Sequence, residues 1–284
     1  RKVIVDTNIP IDVLKEKALR QDLVNELMGK LVLETPDPII DRMFAFSKIR
    51  GCESIYETKG GPMHSSGGGI LYAAIRADEQ GQCINPLFPY VGYEYGNASA
   101  LNSYLHFARF MNDEWKPIPS SIIAEGIDIW NGAGDRGDGA MIAYGAARYA
   151  LARGNKQEAE TLWPLIEWCL EYCRRQLNEQ GVVASDSDEL EGRFPSGDAN
   201  LCTSSLYYDA LISASYLCKE LGIKVSSGED ILSDDDIIML DNMSIEDMKT
   251  AVELVRYQPA FESIANTINT TNWSLLLITS KICL

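Results

Sequence analysis

Two helical stretches joined by only Gly154-Asn155 constrain this chain more than any other feature. Residues 139–153 are alanine-rich, which suits a helix packed closely against its neighbours. Gly154 is a helix stop, and Asn155 followed by Glu158 resembles a capping box for the next helix. That helix carries Leu162, Leu165, Ile166, Cys169 and Cys173 on one stripe, which reads as its core face. Helices joined by so short a turn must lie side by side and antiparallel, as an αα-hairpin.

Helical spacing recurs elsewhere. Residues Lys15 to Met28 form one candidate helix, flanked by β-like runs at Lys2 to Val5 and Leu31 to Leu33. Thr35-Pro36-Asp37-Pro38 is a helix start, with Asp37 able to cap and Pro38 suited to the first turn. This helix runs towards Ile55, and residues 58–69 are then glycine-rich. Leu101, Tyr104, Leu105, Ala108 and Met111 predict a helix from about Asn97. Another is expected from Leu201 to Leu221, with Leu206, Ala210, Leu217 and Cys218 inward and Gly222 ending it. The tail is acidic from Glu229 to Asp236, and Ser244 with Asp247 looks like a cap before Met248, Val252 and Val255. The expected class is all-α, and the lack of a fixed period of about 30–45 residues argues against a helical solenoid.

Charge narrows the function. With 41 acidic against 25 basic residues the chain has a formal charge of −16, which repels phosphate backbones and anionic membrane surfaces. No apolar run reaches membrane-spanning length. The 7 cysteines, an odd number in a long chain, do not form a disulfide scaffold. The 2 histidines, His64 and His106, leave no zinc ligand set, and neither metal nor cofactor is expected.

The chemistry lies in acidic loops ahead of helices. Residues 125–138 hold Asp128, Trp130, Asp135, Arg136 and Asp138 among glycines. Glycine lets backbone approach a ligand, tryptophan offers a flat face for a sugar ring, and a carboxylic acid can protonate a glycosidic oxygen. The plainer reading of Asp138 is a cap for the helix from Gly139. Residues 186–200 hold Asp188 and Glu189, and residues 76–80 hold Asp78 and Glu79. Loops at one end of a helical toroid converge on one funnel, so these groups are expected to meet.

Residues 60–92, 119–150 and 181–222 together resemble the barrel of bacterial six-hairpin (α/α) glycosidases, near the α-L-rhamnosidase-like families. The resemblance implies an (α/α)6 toroid over residues 35–222, after an N-terminal linker or strand segment (1–34) and before an irregular helical tail (223–284). It implies a glycoside hydrolase acting on a plant or microbial polysaccharide or oligosaccharide through carboxylate acid/base catalysis. By position Asp135 resembles the acid, with Asp138 the alternative, and Glu189 or Asp188 is left as base. Asp78 and Glu79 resemble groups that hold the sugar ring, Trp130 a stacking platform, and Arg136 and His64 further substrate contacts. The sequence shows fewer helices than a closed toroid, so an incomplete barrel at its C-terminal end is expected, with self-association or a missing N-terminal domain covering exposed faces. The alternative is a catalytically inactive sugar-binding or helical scaffold protein. A nuclease reading rests on Lys2 to Asn8, which resembles the first strand of PIN-type metal nucleases, and the charge and helix content oppose it. A start at Arg1 suggests a chain cut from something longer, in either the periplasm or the cytoplasm.

Overall fold

The structure, a computed structural model, describes residues 10–65, 74–123, 135–186 and 198–223. Among these the chain is mostly helical, with two small antiparallel strand pairs. Helix α1 (Val13–Gly29) and helix α2 (Pro38–Glu53) form the first pair. Asp37 caps α2 as expected, its Oδ1 accepting from Ile39 N at 2.8 Å. Leu31 to Leu33 is coil, not strand. This pair leaves apolar side chains in solvent, among them Leu14 at 79% and Phe46 at 66% exposure.

The glycine-rich stretch contains a hairpin that helical spacing could not show. Strand β1 (Ile55–Thr58) turns through Lys59-Gly60 into β2 (Gly61–His64), with Gly61 at φ +91. Strand β3 (Ala74–Arg76) pairs with β4 (Ser121–Ile123), burying Ile75 against the core beside Ile122.

The next segment corrects the sequence reading. Asp78 and Glu79 lie not in a loop but in helix α3 (Ala77–Glu79), which passes through a π-helical turn (Gln80–Ile84) into α4 (Asn85–Val91). Helix α5 begins at Glu94 rather than Asn97 and runs to Ala108.

Helix α6 (Asp138–Arg153) is the centre of the packing. Ala140, Ala143, Ala146, Ala147 and Ala150 are buried, and their small size lets neighbours close in. A β-carbon on Gly145 would stand 2.3 Å from Gly81 Cα, so backbone meets backbone there. Helix α7 (Lys156–Arg175) returns antiparallel, as the two-residue connection requires. Gly154 closes α6 in the left-handed region, and Asn155 Oδ1 accepts from Glu158 N at 3.2 Å. Leu162, Leu165, Ile166, Cys169 and Cys173 are buried. Helix α8 (Leu201–Leu221) packs on both α6 and α7; Ala210, Leu217 and Cys218 are buried, while Leu206 is only partly so.

Segment 77–91, α6 and α8 run parallel. Gly137 abuts Thr203 at the start of α6 and α8, and Arg148 pairs with Asp209 further along, through bonds of 2.7 and 2.5 Å. Tyr149, near the end of α6, donates to Asn97 O in the first turn of α5, which follows α4 after two residues. Helices α5 and α7 also touch each other, forming a second layer. The starts of the three parallel segments therefore share one end of the molecule. No helix among the described residues is long and apolar enough to cross a membrane.

Candidate functional site

The acidic groups gather at that shared end. Asp135 is 5% exposed and lies just ahead of α6. Its Oδ1 accepts from Gly137 N at 2.9 Å, and its backbone N donates to Asp186 Oδ2 at 3.3 Å, which ties two loops together. Asp138 is not the cap of α6, as the plainer reading would have it. It is the first residue of the helix; Gly137 stands at the cap position and no side chain caps there.

A cleft of about 480 Å³ opens beside Asp135. Its described walls include Trp115, Asp135, Tyr172, Gln176, Asp186 and Asp198. Trp115 has φ +55, rare for a bulky residue. Its ring stacks on Trp168 at 5.4 Å and 17°, and Trp168 stacks on Tyr172 at 5.5 Å and 10°. Arg175 lies over Trp115, 4.3 Å from the ring centre, and pairs with Glu171 at 2.6 Å.

Burial sets the proton chemistry. It pushes the Asp138 carboxyl up to about 7; neighbouring Asp135 and Asp78 add to the effect, while Arg136 opposes it. Asp138 Oδ2 is buried without a hydrogen-bond partner among the described residues. Burial also raises Asp135, against the hydrogen bond it accepts from Gly137 N and the influence of the nearby Tyr172 hydroxyl; Asp186 reinforces the rise.

The expected residues separate into groups. Asp135, Arg136 and Asp138 lie together at the start of α6, and Asp78, in α3, is near enough to act on Asp138. Asp78 makes a two-bond pair with Arg76 at 3.1 and 2.8 Å, and Glu79 N donates to it at 2.9 Å. Glu79 follows it in α3 and is partly buried. His64 is different: its ring is buried edge-on to Phe88, and burial lowers it to about 4, so it is neutral at neutral pH. Like Asp78, Arg136 and Asp138, it is not among the described residues lining the cleft; of the expected residues that are described, Asp135 lines it. Trp130, Asp188 and Glu189 lie outside the described residues, as do residues 2–8, on which the nuclease reading rests. Sequence reasoning missed Trp115 and Tyr172, and took in Asp186 and Asp198 only as part of the acidic loop 186–200. Tyr172 sits between Cys169 and Cys173 and reads as core; only its tertiary setting turns it to the cleft.

Among the described residues no group of three or more His, Cys, Asp or Glu side chains could hold a metal ion. No protein-family model matches the chain, and no curated protein matches it.

Proposed function

We propose that the chain is a glycoside hydrolase of the six-hairpin (α/α) type, its three parallel helical segments being inner helices of a toroid and α5 and α7 outer ones. The observation that carries the reading is the pair Asp135 and Asp138, two buried carboxyls held in different electrostatic settings at the start of one helix. A pair of carboxyls in different settings is what acid/base cleavage of a glycosidic bond uses. Asp138, near 7, is suited to hold a proton at neutral pH and give it to the leaving oxygen. Asp135, also raised by burial, accepts a hydrogen bond from Gly137 N, which favours its ionised form and suits it to the role of base. Sequence position alone favours Asp135 as the acid; the burial of Asp138 moves the proposal to the alternative.

The cleft walls favour an uncharged sugar. Trp115 and Tyr172 supply aromatic surface, and Asp135, Asp186 and Asp198 make no ion pair among the described residues. An anionic sugar would meet three carboxylates there. The test is sugar release and binding on a panel of plant and microbial glycans. Asp138→Asn is expected to bind a cleaved glycan normally and lower turnover by about 10²–10⁴, the contribution of one proton-transfer group. A wild-type chain that binds glycans and releases none from any member of the panel would instead establish an inactive sugar-binding protein.

A further inference from the structure

Asp135 N donates to Asp186 Oδ2 at 3.3 Å across 51 residues of chain, and both residues line the cleft. They come from different long connections, Asp135 from the one ahead of α6 and Asp186 from the one ahead of α8. An exposed aspartate can hold another loop in place only if its own backbone is held, and here it is. Ala184 N donates to Gln176 O and Val183 N to Ser204 Oγ, each at 3.0 Å. Asn200, whose Oδ1 caps α8 by accepting from Thr203 N at 3.0 Å, donates from Nδ2 to Ser185 Oγ at 2.9 Å. Ser185 Oγ stands 3.4 Å from Thr203 Oγ1, and both residues are buried. Asp186 is the next residue along.

The loop ahead of α6 rests on the same anchor. A β-carbon on Gly137 would stand 2.5 Å from Thr203 Oγ1, and Gly137 N donates to the Asp135 carboxyl at 2.9 Å. The start of α8 therefore reaches Asp135 by two routes, through Gly137 to its carboxyl and through Ser185 and Asp186 to its main chain. We propose that Asp186 is a positioning residue for Asp135: anchored at the start of α8, its carboxylate holds the Asp135 N–H and so fixes where the Asp135 carboxyl stands in the cleft. An ionised acceptor makes a stronger bond to an N–H than a neutral one does, which suits an aspartate to this place. The catalytic meaning rests on the proposed hydrolase reading, but the hold on the main chain does not.

The test is amide hydrogen exchange by NMR of the full chain labelled with ¹⁵N-aspartate, with Asp135 identified by the resonance lost in Asp135→Asn. Asp186→Ala removes the acceptor, and the Asp135 amide is expected to exchange about tenfold faster, the worth of one hydrogen bond to a charged group. Asp186→Asn keeps an acceptor oxygen and should recover most of the protection. The amides of Tyr149 and Ala210, buried within α6 and α8, are followed in uniformly labelled chains and should exchange as in the wild type. An Asp135 amide unchanged in Asp186→Ala overturns the proposal, as does an asparagine variant that exchanges as fast as the alanine one. A rise shared by Tyr149 and Ala210 overturns it too, since the loss is then one of overall stability. A glycan cleaved by the wild type adds a second readout: Asp186→Ala should lower kcat with little change in KM, and Asp186→Asn should recover turnover. Glycan cleavage with an unmoved amide removes the positioning role and leaves the hydrolase reading. A released amide in a chain that cleaves no glycan does the reverse.

Discussion

Replacing Asp138 by asparagine keeps the shape of the side chain and removes its proton chemistry. The folded chain holds the Asp138 proton up to about pH 7, against an ordinary value of 3.8. Below the lower value both folded and unfolded chains are protonated, and the aspartate destabilises nothing. Between the two values only the folded chain keeps the proton, so raising the pH favours the unfolded state. The gap is roughly three pH units, and each is worth about 1.36 kcal/mol, which gives a stability loss on the order of 4 kcal/mol by pH 8. The asparagine side chain does not titrate. Asp138→Asn is therefore expected to match the wild type near pH 4 and to exceed it increasingly up to pH 8. Groups remote from Asp138 contribute equally to both chains and cancel in the difference, whereas Asp135, Asp78 and Arg136 are coupled to it and enter the measured value. Urea unfolding at several pH values between 4 and 8.5 measures it. A stabilised variant with lost turnover is the mark of a group kept for function at a cost in stability. A difference that does not vary with pH would refute the buried-acid account.

Gly145→Ala drives a β-carbon to 2.3 Å from Gly81 Cα and 2.5 Å from Gly81 O, and backbone cannot rotate away as a side chain can. It is expected to destabilise the chain by about 1–3 kcal/mol or more, read as a lowered melting temperature, despite alanine's better helix propensity. Trp115→Ala removes the stack on Trp168 and the aromatic wall of the cleft. It is expected to cost about 0.5–1.5 kcal/mol of stability and about tenfold in glycan affinity, measured by unfolding and by calorimetric titration. Leu162, buried in α7, gives a control remote from the chemistry: Leu162→Ala should cost about 2–5 kcal/mol in unfolding and leave glycan affinity unchanged.

What the sequence showed, and what it hid, divides along the range of the interactions. The helices α6, α7 and α8 were legible because their stops, caps and stripes are local: Gly154, Asn155, Gly222 and the run from Leu162 to Cys173 each act within a few residues. The π-helical turn was hidden, because its cause is the approach of Gly81 to Met141 and Gly145, far along the chain. The β1–β2 hairpin was hidden because Gly60-Gly61 reads equally as loop or turn until its flanking strands pair. Asp135 and Asp138 stood out as acids among glycines. Trp115 gave no local signal, since nothing in its neighbours announces a left-handed tryptophan.

The convergence of the acidic groups follows from connection lengths. Helix α4 passes to α5 through Gly92 and Tyr93, and α6 passes to α7 through Gly154 and Asn155. Each short turn reverses direction, so both turns sit at the same end of the parallel segments. The long connections, from Arg109 to Gly137 and from Gln176 to Asn200, must then return at the other end. Asp135 and Asp186 lie on those long returns, and Asp78 opens the first parallel segment. Their sharing of one end is thus a consequence of alternating short and long connections, which any sequence with this pattern of helix stops would impose. What the connections do not impose is the burial of Asp138, which depends on how tightly α6 is enclosed by its neighbours. The alanines along α6 permit that enclosure, and the proton affinity of the site follows from it.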